Sequence, residues 1–434
     1  MLGIGIFLSP PIVATHTQSP WLFLALWVLG GVISLAGATA CAELATMMPR
    51  AGGDYVFQRA AFGPSVAFAS GWVLFAAIFS GSIATMTVGL CKYQLPVLLG
   101  RDLSAVLWTT PWGFELTAVE LSALAVVPLL TWLNVLGAGP STRTQSVLTF
   151  VPIALLAGAA LWAIGMGPSP AAAAAQATEA SGLAGIVVSY MAVYFAYSGW
   201  INVIYVAGEV EDPARNLPRS LLWGTAAVTT LYLLVCVGLL RVLGMDGLRT
   251  AGEAGTAAAA VLAGDAGRMG VTVLIASALL ASINGTILGG ARVAYAMGRD
   301  GAMWPVLGTL DRSHHAPGRA LWLQAAIAAA LIVSGRFEQL YTMVSLAMVC
   351  TGTLTVASVF VLRRREPDRE RPYRAGGYPW FPGLYILSSL FVVAVMAREA
   401  LSGEPGAWYP LLGLGVLAAA FAGHRLVATP TEPR

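Results

Sequence analysis

Long apolar runs separated by short polar segments dominate the chain. A helix that crosses a hydrocarbon core of about 30 Å needs about 20 predominantly apolar residues. Eleven runs approach or exceed that length, and each predicts a membrane-spanning helix. The predicted spans are Leu22–Met47, Val66–Leu90, Leu116–Leu136, Ser146–Met166, Leu183–Val206, Leu221–Leu243, Val271–Met297, Ala320–Ser334, Leu340–Leu362, Phe381–Ala397 and Ala407–Leu426.

A shorter apolar stretch, Met1–Ala14, precedes these runs. It is too short to span a bilayer, and Gly3, Gly5 and the pair Pro10-Pro11 interrupt it. We interpret it as the second half of a twelfth helix that lacks its cytoplasmic half. A misplaced translation start is favoured over a real loss of that half.

The composition restricts the class of protein further. Of the 434 residues, 57% are hydrophobic and only 10% are charged, whereas a soluble domain has about 25% charged residues. So little polar surface cannot cover an exterior that faces water. A soluble enzyme, a disordered protein and a nucleic-acid-binding module are therefore excluded, and membrane lipid is the expected surrounding.

The distribution of basic residues predicts an orientation. If the N-terminus lies inside and the spans alternate, 17 of the 24 basic residues fall on the inner side and 7 on the outer side. Cytoplasmic loops of membrane proteins carry an excess of Lys and Arg. We therefore expect a multi-pass protein of the cytoplasmic membrane with a cytoplasmic N-terminus.

Side chains that would support enzyme chemistry are sparse. The four cysteines lie far apart, without the close pairs that zinc or redox sites need. The sequence has no recognisable pairing of a nucleophile with a base, and no metal-ligand cluster. We expect no enzyme activity, no cofactor, no bound metal and no nucleic-acid partner.

Two predicted helices contain glycine or serine beside aromatic residues, at Gly3–Phe7 and Phe195–Trp200. Glycine lowers the cost of leaving helical geometry, and backbone groups bared at membrane depth must find partners. Around a cavity, the freed helix ends attract an anion and a cation, and a free amino acid carries both charges. Alternatively, these glycines allow close helix packing. The spacing alone leaves both interpretations open.

The two breaks also suggest an internal repeat. They lie about 195 residues apart, and each begins a run of five predicted helices. This arrangement is typical of transporters that are built from two repeats of inverted topology.

Several short motifs follow one another in order along essentially the whole chain. They are Gly3–Phe7, Ala42–Leu44 with Pro49–Tyr55, Phe195–Trp200 with Glu209–Pro213 and Asn216–Pro218, Asn284–Arg292 with Gly298–Gly301, and Arg371–Tyr373. Together they resemble the amino acid-polyamine-organocation transporter superfamily. Within it, the pattern is most similar to the L-type amino-acid transporter and related bacterial amino-acid permeases.

The resemblance implies an all-α membrane protein with twelve helices, the first of them truncated at its N-terminal half, that works by alternating access. Residues 1–180 would form the first inverted repeat with helices 1–5, and residues 181–365 the second with helices 6–10. Residues 366–434 would add two C-terminal helices. The whole chain would be a single transporter domain.

The resemblance also implies a substrate site at the two breaks. The substrate carboxylate would bind backbone N–H groups around Gly3, Ile4, Gly5 and Ile6, and the ammonium would face the carbonyls of Phe195, Ala196 and Ser198. Phe195 would form an aromatic gate, and Tyr197, Ser198 and Gly199 would shape the side-chain pocket.

One feature departs from the family pattern. Relatives often carry a lysine on helix five after a Gln and a Thr. Here Gln145 and Thr149 are followed by Phe150-Val151-Pro152, and the single lysine of the chain is Lys92. Coupling through a lysine on that helix is therefore excluded.

Three ionisable residues, Glu43, Glu120 and Arg292, are predicted at membrane depth, where charge is costly and often functional. Glu43 and Arg292 fall near inner helix ends, which favours gating or structural ion pairs over proton carriage. Neither break contains an acidic residue, which favours a neutral amino-acid substrate.

We therefore expect a secondary transporter of amino acids, either an exchanger or a proton-linked uptake system in which a proton is the coupling partner. A receptor or an inactive paralogue of the same fold, which binds an amino acid without moving it, is the alternative.

Overall fold

The computed structural model describes residues 5–109, 115–136, 142–166, 182–311, 316–334, 337–401 and 415. Within these ranges the chain is almost entirely helical, as the apolar runs predict. The exception is a short antiparallel pair of strands, β1 (Val106–Thr109) and β2 (Glu115–Thr117).

The first half contains eight α-helices. They are α1 (Gly5–His16), α2 (Pro20–Met47), α3 (Asp54–Phe62), α4 (Pro64–Trp72), α5 (Ser80–Gly89), α6 (Leu95–Leu99), α7 (Ala118–Val135) and α8 (Thr142–Met166). Local signals fix several helix starts. Ser19 accepts a hydrogen bond from the Leu22 N–H with Pro20 in the first turn, and Thr117 and Glu120 form a capping box at α7.

Helices α4, α5 and α6 form one apolar span over Pro64–Leu99. Two π-helical segments, Val73–Phe79 and Leu90–Gln94, connect them. A π-helical turn is wider than an α-helical one and is often found at functional sites. Here the Ser80 N–H and hydroxyl both donate to the Phe75 carbonyl, five residues earlier.

The second half contains six α-helices. They are α9 (Leu183–Tyr197), α10 (Pro213–Thr250), α11 (Ala254–Arg299), α12 (Gly318–Ser334), α13 (Phe337–Arg365) and α14 (Trp380–Ala400). A short 3₁₀ turn, Pro305–Gly308, precedes α12.

The regular α-helix of the predicted span Leu183–Val206 ends at the expected position. After Tyr197 the chain continues as a 3₁₀ segment, Ser198–Glu209, in which Val206 leaves helical geometry altogether. The tighter 3₁₀ winding has poorer hydrogen-bond geometry, and a long stretch of it marks a strained or hinge-like region.

Two other helices bend near one end. In α10 the bend lies at Gly244, whose φ of 66° is readily adopted only by glycine. In α11 the bend lies at Ala263 and Gly264, so a short helix precedes the long apolar part.

The membrane character predicted from the sequence is confirmed in outline. Among the described residues, eight helices are long and apolar enough to cross a bilayer, and two more apolar helices, Phe150–Gly165 and Gly318–Val333, are shorter. Each of the first ten predicted spans overlaps one of these helices. The eleventh, Ala407–Leu426, lies outside the described residues.

Helices of the first half pack against helices of the second half. α1 packs against α9, α2 against α10, the Pro64–Leu99 span against α11, and α7 against α12. The first of these pairs positions the functional site.

Candidate functional site

The two predicted breaks are in direct contact. A Cβ atom on Gly5 would lie 2.5 Å from the Ala196 Cα and 2.9 Å from its Cβ, so only glycine permits this approach. The Ser9 hydroxyl donates to the Ala192 carbonyl at 2.7 Å, one turn along the same contact. At the other end of α1, Arg249 of α10 donates to the carbonyls of Ala14 and Thr17, both at 3.0 Å.

A cavity of about 880 Å³, including the space open to solvent, lies beside this contact. Its walls come from α1, α3, the Pro64–Leu99 span, α9 with the 3₁₀ segment, α11, α13 and α14. The lining residues are Gly5, Asp54, Leu74, Ile78, Phe79, Ser82, Met86, Tyr194, Phe195, Ala196, Ser198, Gly199, Trp200, Ile201, Asn202, Tyr205, Ser282, Thr286, Met348, Thr351, Gly352 and Tyr385.

Most of the predicted site residues that the structure describes line this cavity. They are Gly5, Phe195, Ala196, Ser198 and Gly199. The buried Ile6 does not line it. Gly3 and Ile4 lie outside the described residues.

Tyr197 faces away from the cavity. Its hydroxyl donates to the Trp27 carbonyl at 3.1 Å, and its ring packs against Trp27 and Tyr232. This aromatic cluster fixes the last turn of α9 against α2 and α10. The helical repeat puts the side chains of Phe195 and Tyr197 on different faces, so both cannot point into one cavity.

The carbonyls at the second break already accept hydrogen bonds. The Phe195 oxygen accepts from the Ser198 N–H and from its hydroxyl, the latter at 2.7 Å. The Ala196 oxygen accepts from the Tyr232 hydroxyl at 3.1 Å. A carbonyl oxygen has two lone pairs. A ligand ammonium at this position would therefore share the lone pairs of both oxygens with these donors.

Another wall of the cavity is lined by hydroxyl groups. Ser282 and Thr286 of α11 and Ser82 of α5 all line it. Ser282 donates to the Met86 sulfur at 3.6 Å and Thr286 to the Ser282 carbonyl at 2.8 Å. The buried Ser82 hydroxyl has no protein partner. This hydroxyl wall can recognise a polar group on a ligand.

A buried carboxylate, Asp54, also lines the cavity, although no pattern in the sequence predicts it there. One oxygen accepts from the Tyr205 hydroxyl at 2.7 Å, while Oδ1 has no partner. Burial raises the pKa of Asp54 to about 6, although the interactions with the Tyr205 and Thr355 side chains act in the opposite direction. Its position in a loop motif between two spans gave no periodic signal of burial.

The double glycine before Asp54 explains how it reaches the cavity. Gly52 and Gly53 have φ angles of 113° and 49°, which favour glycine. A Cβ on Gly53 would lie 2.6 Å from the Tyr205 ring. The loop therefore packs directly on the 3₁₀ segment, and α3 begins at Asp54 beneath it.

A second group of buried polar side chains borders the cavity between α9, α13 and α14. The Tyr194 and Tyr385 hydroxyls are 2.5 Å apart. A Cβ on Gly352 would fall 2.5 Å from the Tyr385 oxygen, so glycine is required for this contact. The pair joins three helices at the edge of the cavity.

Glu43 lies apart from the cavity in a buried ion-pair cluster. Arg363 donates to its two oxygens at 2.9 and 2.6 Å, and the Ala375 N–H donates at 2.7 Å. Arg371 forms a further ion pair at 3.3 Å. This cluster ties the end of α2 to the end of α13 and the segment that follows it.

Arg292 pairs with Glu209 at 2.6 Å, joining α11 to the end of the 3₁₀ segment. Arg59 of α3 pairs with Asp300 after α11, and the Tyr55 hydroxyl donates to the same carboxylate at 3.2 Å. These ion pairs lie at helix ends outside the cavity lining. In the part of the chain that the structure describes, no group of three or more His, Cys, Asp and Glu side chains could hold a metal.

Sequence comparison relates the chain to amino acid permeases. The family profile described as amino acid permease matches residues 1–418. The serine/threonine exchanger SteT of Bacillus subtilis is 28% identical over 400 residues, which cover 91% of this chain and 87% of that protein.

Two mammalian relatives have similar sequence identity to this chain. The human cystine/glutamate transporter is 26% identical over 400 residues, covering 91% of this chain and 77% of its own. The mouse b(0,+)-type amino acid transporter 1 is 28% identical over 404 residues, which cover 91% of this chain and 79% of that protein. A profile match over nearly the whole chain shows that this multi-pass membrane protein belongs to the amino acid permease family.

Proposed function

We propose that the chain is a secondary transporter that moves neutral amino acids across the cytoplasmic membrane by alternating access. The observation that carries this proposal is the cavity beside the Gly5–Ala196 contact, in a chain of the amino acid permease family. The named relatives are exchangers or transporters of amino acids.

The proposed architecture has twelve helices, with residues 1–180 and 181–365 as inverted repeats and residues 366–434 as two added helices. The pairing of α1 with α9, α2 with α10 and α7 with α12 supports it, because equivalent helices of two repeats related by an axis meet near that axis. The excess of arginine in the predicted inner loops supports a cytoplasmic N-terminus.

The proposed substrate lies across the two breaks. Its carboxylate binds backbone amides at residues 3–6, where the positive end of α1 attracts an anion. Its ammonium binds carbonyls at Phe195, Ala196 and Ser198, which border the same cavity. Phe195 covers the bound substrate as an aromatic gate.

The charge of the lining argues against an acidic substrate. Among the described residues that line the cavity, no arginine or lysine is present to pair with an acidic side chain. The hydroxyl wall and the apolar residues of the Pro64–Leu99 span suit a small polar or apolar side chain.

Counter-flow in proteoliposomes tests the proposal. Vesicles that contain the purified full chain and unlabelled L-serine or L-leucine are expected to accumulate the same labelled amino acid, unlike protein-free vesicles. Labelled L-glutamate should accumulate poorly. Saturable binding without accumulation would instead support the non-transporting receptor.

A matched pair of variants tests the site. Phe195→Ala should raise the KM for counter-flow by about tenfold, equivalent to about 1.4 kcal/mol. Phe391→Ala removes an aromatic ring of similar size from an exposed position on α14 and should leave the KM unchanged. Equal values for the two variants would remove Phe195 from the site.

A further inference from the structure

The cavity contains an ionisable group that substrate binding, as proposed above, does not use. Asp54 is the only carboxylate among the described lining residues, and only 2% of its surface is exposed. We propose that Asp54 is the proton-binding site of the transport cycle, protonated while packed against the 3₁₀ segment and ionised when that contact opens to water. This inference rests on the proposed transport function and names its coupling ion.

Few groups stabilise an ionised Asp54, since only the side chains of Tyr205 and Thr355 interact with it in a way that favours the charge. An ionised carboxylate can accept about four hydrogen bonds, and here the Tyr205 hydroxyl supplies one at 2.7 Å. The second oxygen, Oδ1, is buried without a hydrogen-bond partner, and the residue lines the cavity. A buried charge with so little compensation is unfavourable, and such a group takes up a proton instead.

The groups that face Asp54 carry no positive charge. They are Tyr205 from the 3₁₀ segment, Tyr194 from α9, Cys41 from α2 and Thr355 from α13. Asp54 forms no ion pair among the described residues, in contrast to Glu43 with its arginines. The titration range of Asp54, with a pKa of about 6, lies close to physiological pH.

The position of α3 links this proton to the conformation of the second break. On one side, Asp54 contacts Tyr205 of the 3₁₀ segment. On the other side, α3 is held to α13 by Gln58, which donates to the Thr355 hydroxyl at 2.8 Å and to the Thr351 carbonyl at 3.1 Å. Movement of the 3₁₀ segment relative to α3 would therefore separate Asp54 from Tyr205.

Water that enters this opening would favour ionisation, and a proton that returns would favour closure. By linkage, a group that binds its proton more tightly in one conformation makes the populations of the two conformations depend on pH. The proton leaves Oδ1 for water on one side of the membrane and is replaced from water on the other. Each cycle then moves one proton with the substrate.

Two measurements on one preparation test the proposal. Proteoliposomes with the full chain and an internal pH-sensitive dye receive labelled L-serine, with pH 5.5 outside and 7.5 inside. A gradient of two pH units supports accumulation of up to about 100-fold for one proton per substrate. Wild-type protein should accumulate L-serine against its concentration gradient while the vesicle interior acidifies. Counter-flow is measured on the same preparation with equal pH on both sides.

In Asp54→Asn, gradient-driven accumulation of L-serine divided by counter-flow should fall to the value measured without a pH gradient. The acidification of the vesicle interior that accompanies L-serine uptake should disappear. Asp54→Glu keeps the carboxyl group and should keep both. Asp102→Asn changes an exposed carboxylate outside the cavity and should behave as wild type. Proton-driven accumulation that persists in Asp54→Asn would overturn the proposal.

If Asp54→Asn does not purify as a monodisperse protein, the variant Tyr205→Phe tests the proposal instead. Loss of the donating hydroxyl disfavours the ionised carboxylate, so the pH midpoint of uptake should move upward. An unchanged midpoint would overturn the proposal.

The other outcomes separate this inference from the transport function. Exchange without acidification in wild type would reject Asp54 as a proton site and leave amino-acid transport intact. A loss confined to L-lysine uptake in Asp54→Asn would make Asp54 a counter-charge for cationic substrates and reject the proton role. Absence of both counter-flow and gradient-driven uptake would reject the proposed function itself.

Discussion

Gly5 shows how much a single methyl group can matter in this bundle. Its Cα faces the backbone of Ala196, and a Cβ would lie 2.5 Å from the Ala196 Cα. Because backbone cannot rotate away as a side chain can, a larger residue must separate α1 from α9. Overpacking of this kind typically costs about 1–3 kcal/mol.

Gly5→Ala is therefore expected to lower the melting temperature in detergent and to abolish counter-flow. Gly285→Ala on α11 is the control, because a Cβ there meets nothing within 4 Å. It should be neutral or slightly stabilising, since glycine costs about 0.5–1 kcal/mol relative to alanine inside a helix. Equal effects of the two substitutions would contradict the close contact.

The titration of Asp54 should affect the stability of the protein as well as its transport. Burial raises its pKa from 3.8 to about 6, so between these values the folded state holds a proton that the unfolded chain has lost. The stability from this group is therefore complete below about pH 4 and is lost as the pH rises through 6, by about 3 kcal/mol in all. Asp54→Asn removes the titrating group.

The melting temperatures of wild type and Asp54→Asn at pH 4.5 and 7.5 check this expectation. The fall between the two pH values should be larger for wild type. Parallel falls would mean that Asp54 does not titrate in this range.

At the level of single elements, the second break depends on a few hydrogen bonds to its carbonyls. The Tyr232 hydroxyl of α10 supports the Ala196 carbonyl at 3.1 Å, and both residues are buried. Tyr232→Phe should destabilise the protein by about 1–3 kcal/mol, the cost of leaving a buried polar group unpaired. Chemical denaturation followed by fluorescence measures it.

Tyr295→Phe provides the comparison, since this tyrosine of α11 is only partly buried. Its substitution should change stability by less than about 0.5 kcal/mol. A similar loss of stability in both variants would show that the Tyr232 hydrogen bond contributes no more than the Tyr295 hydroxyl.

The spans were predictable because each depends on its own apolar run. Leu22–Met47 and Leu183–Val206 overlap α2 and α9 with its 3₁₀ segment, and the change of helix type falls at Ser198 within the predicted break. Membrane helices are recognisable without tertiary information, since lipid requires long apolar segments whose backbone bonds are satisfied internally.

Side-chain orientation was less predictable from the sequence. Tyr197 was expected in the pocket, yet it lies on the aromatic face with Trp27, while the neighbouring Phe195 and Ser198 line the cavity. Asp54 was not singled out, because its burial depends on contacts with residues about 150 and 300 positions away. Such contacts leave no local pattern.

At the scale of the whole molecule, two of the ion pairs between helix ends differ strongly in burial. The Glu43 side chain is 1% exposed, accepts hydrogen bonds from Arg363 and a backbone amide, and forms an ion pair with Arg371, whereas the Glu209 side chain is 59% exposed opposite Arg292. Breaking a buried pair from one side costs about 3–5 kcal/mol, and an exposed pair contributes about 0–1 kcal/mol.

Glu43→Gln should therefore lower the melting temperature by several degrees more than Glu209→Gln. Measuring both variants at low and at 1 M salt adds a second readout, because salt screens the exposed pair more than the buried one. A larger loss in Glu209→Gln would contradict the difference in burial.

The lack of space between Gly5 and Ala196 limits how this protein can diverge. The groups common to all amino acids would meet main-chain atoms there, and main-chain atoms cannot be exchanged by substitution. Selectivity would then be tuned from the hydroxyl wall, where Ser82, Ser282 and Thr286 can be replaced one at a time. We expect proteins that evolve from this chain toward other amino-acid substrates to differ at Ser82, Ser282 and Thr286 and to retain Gly5.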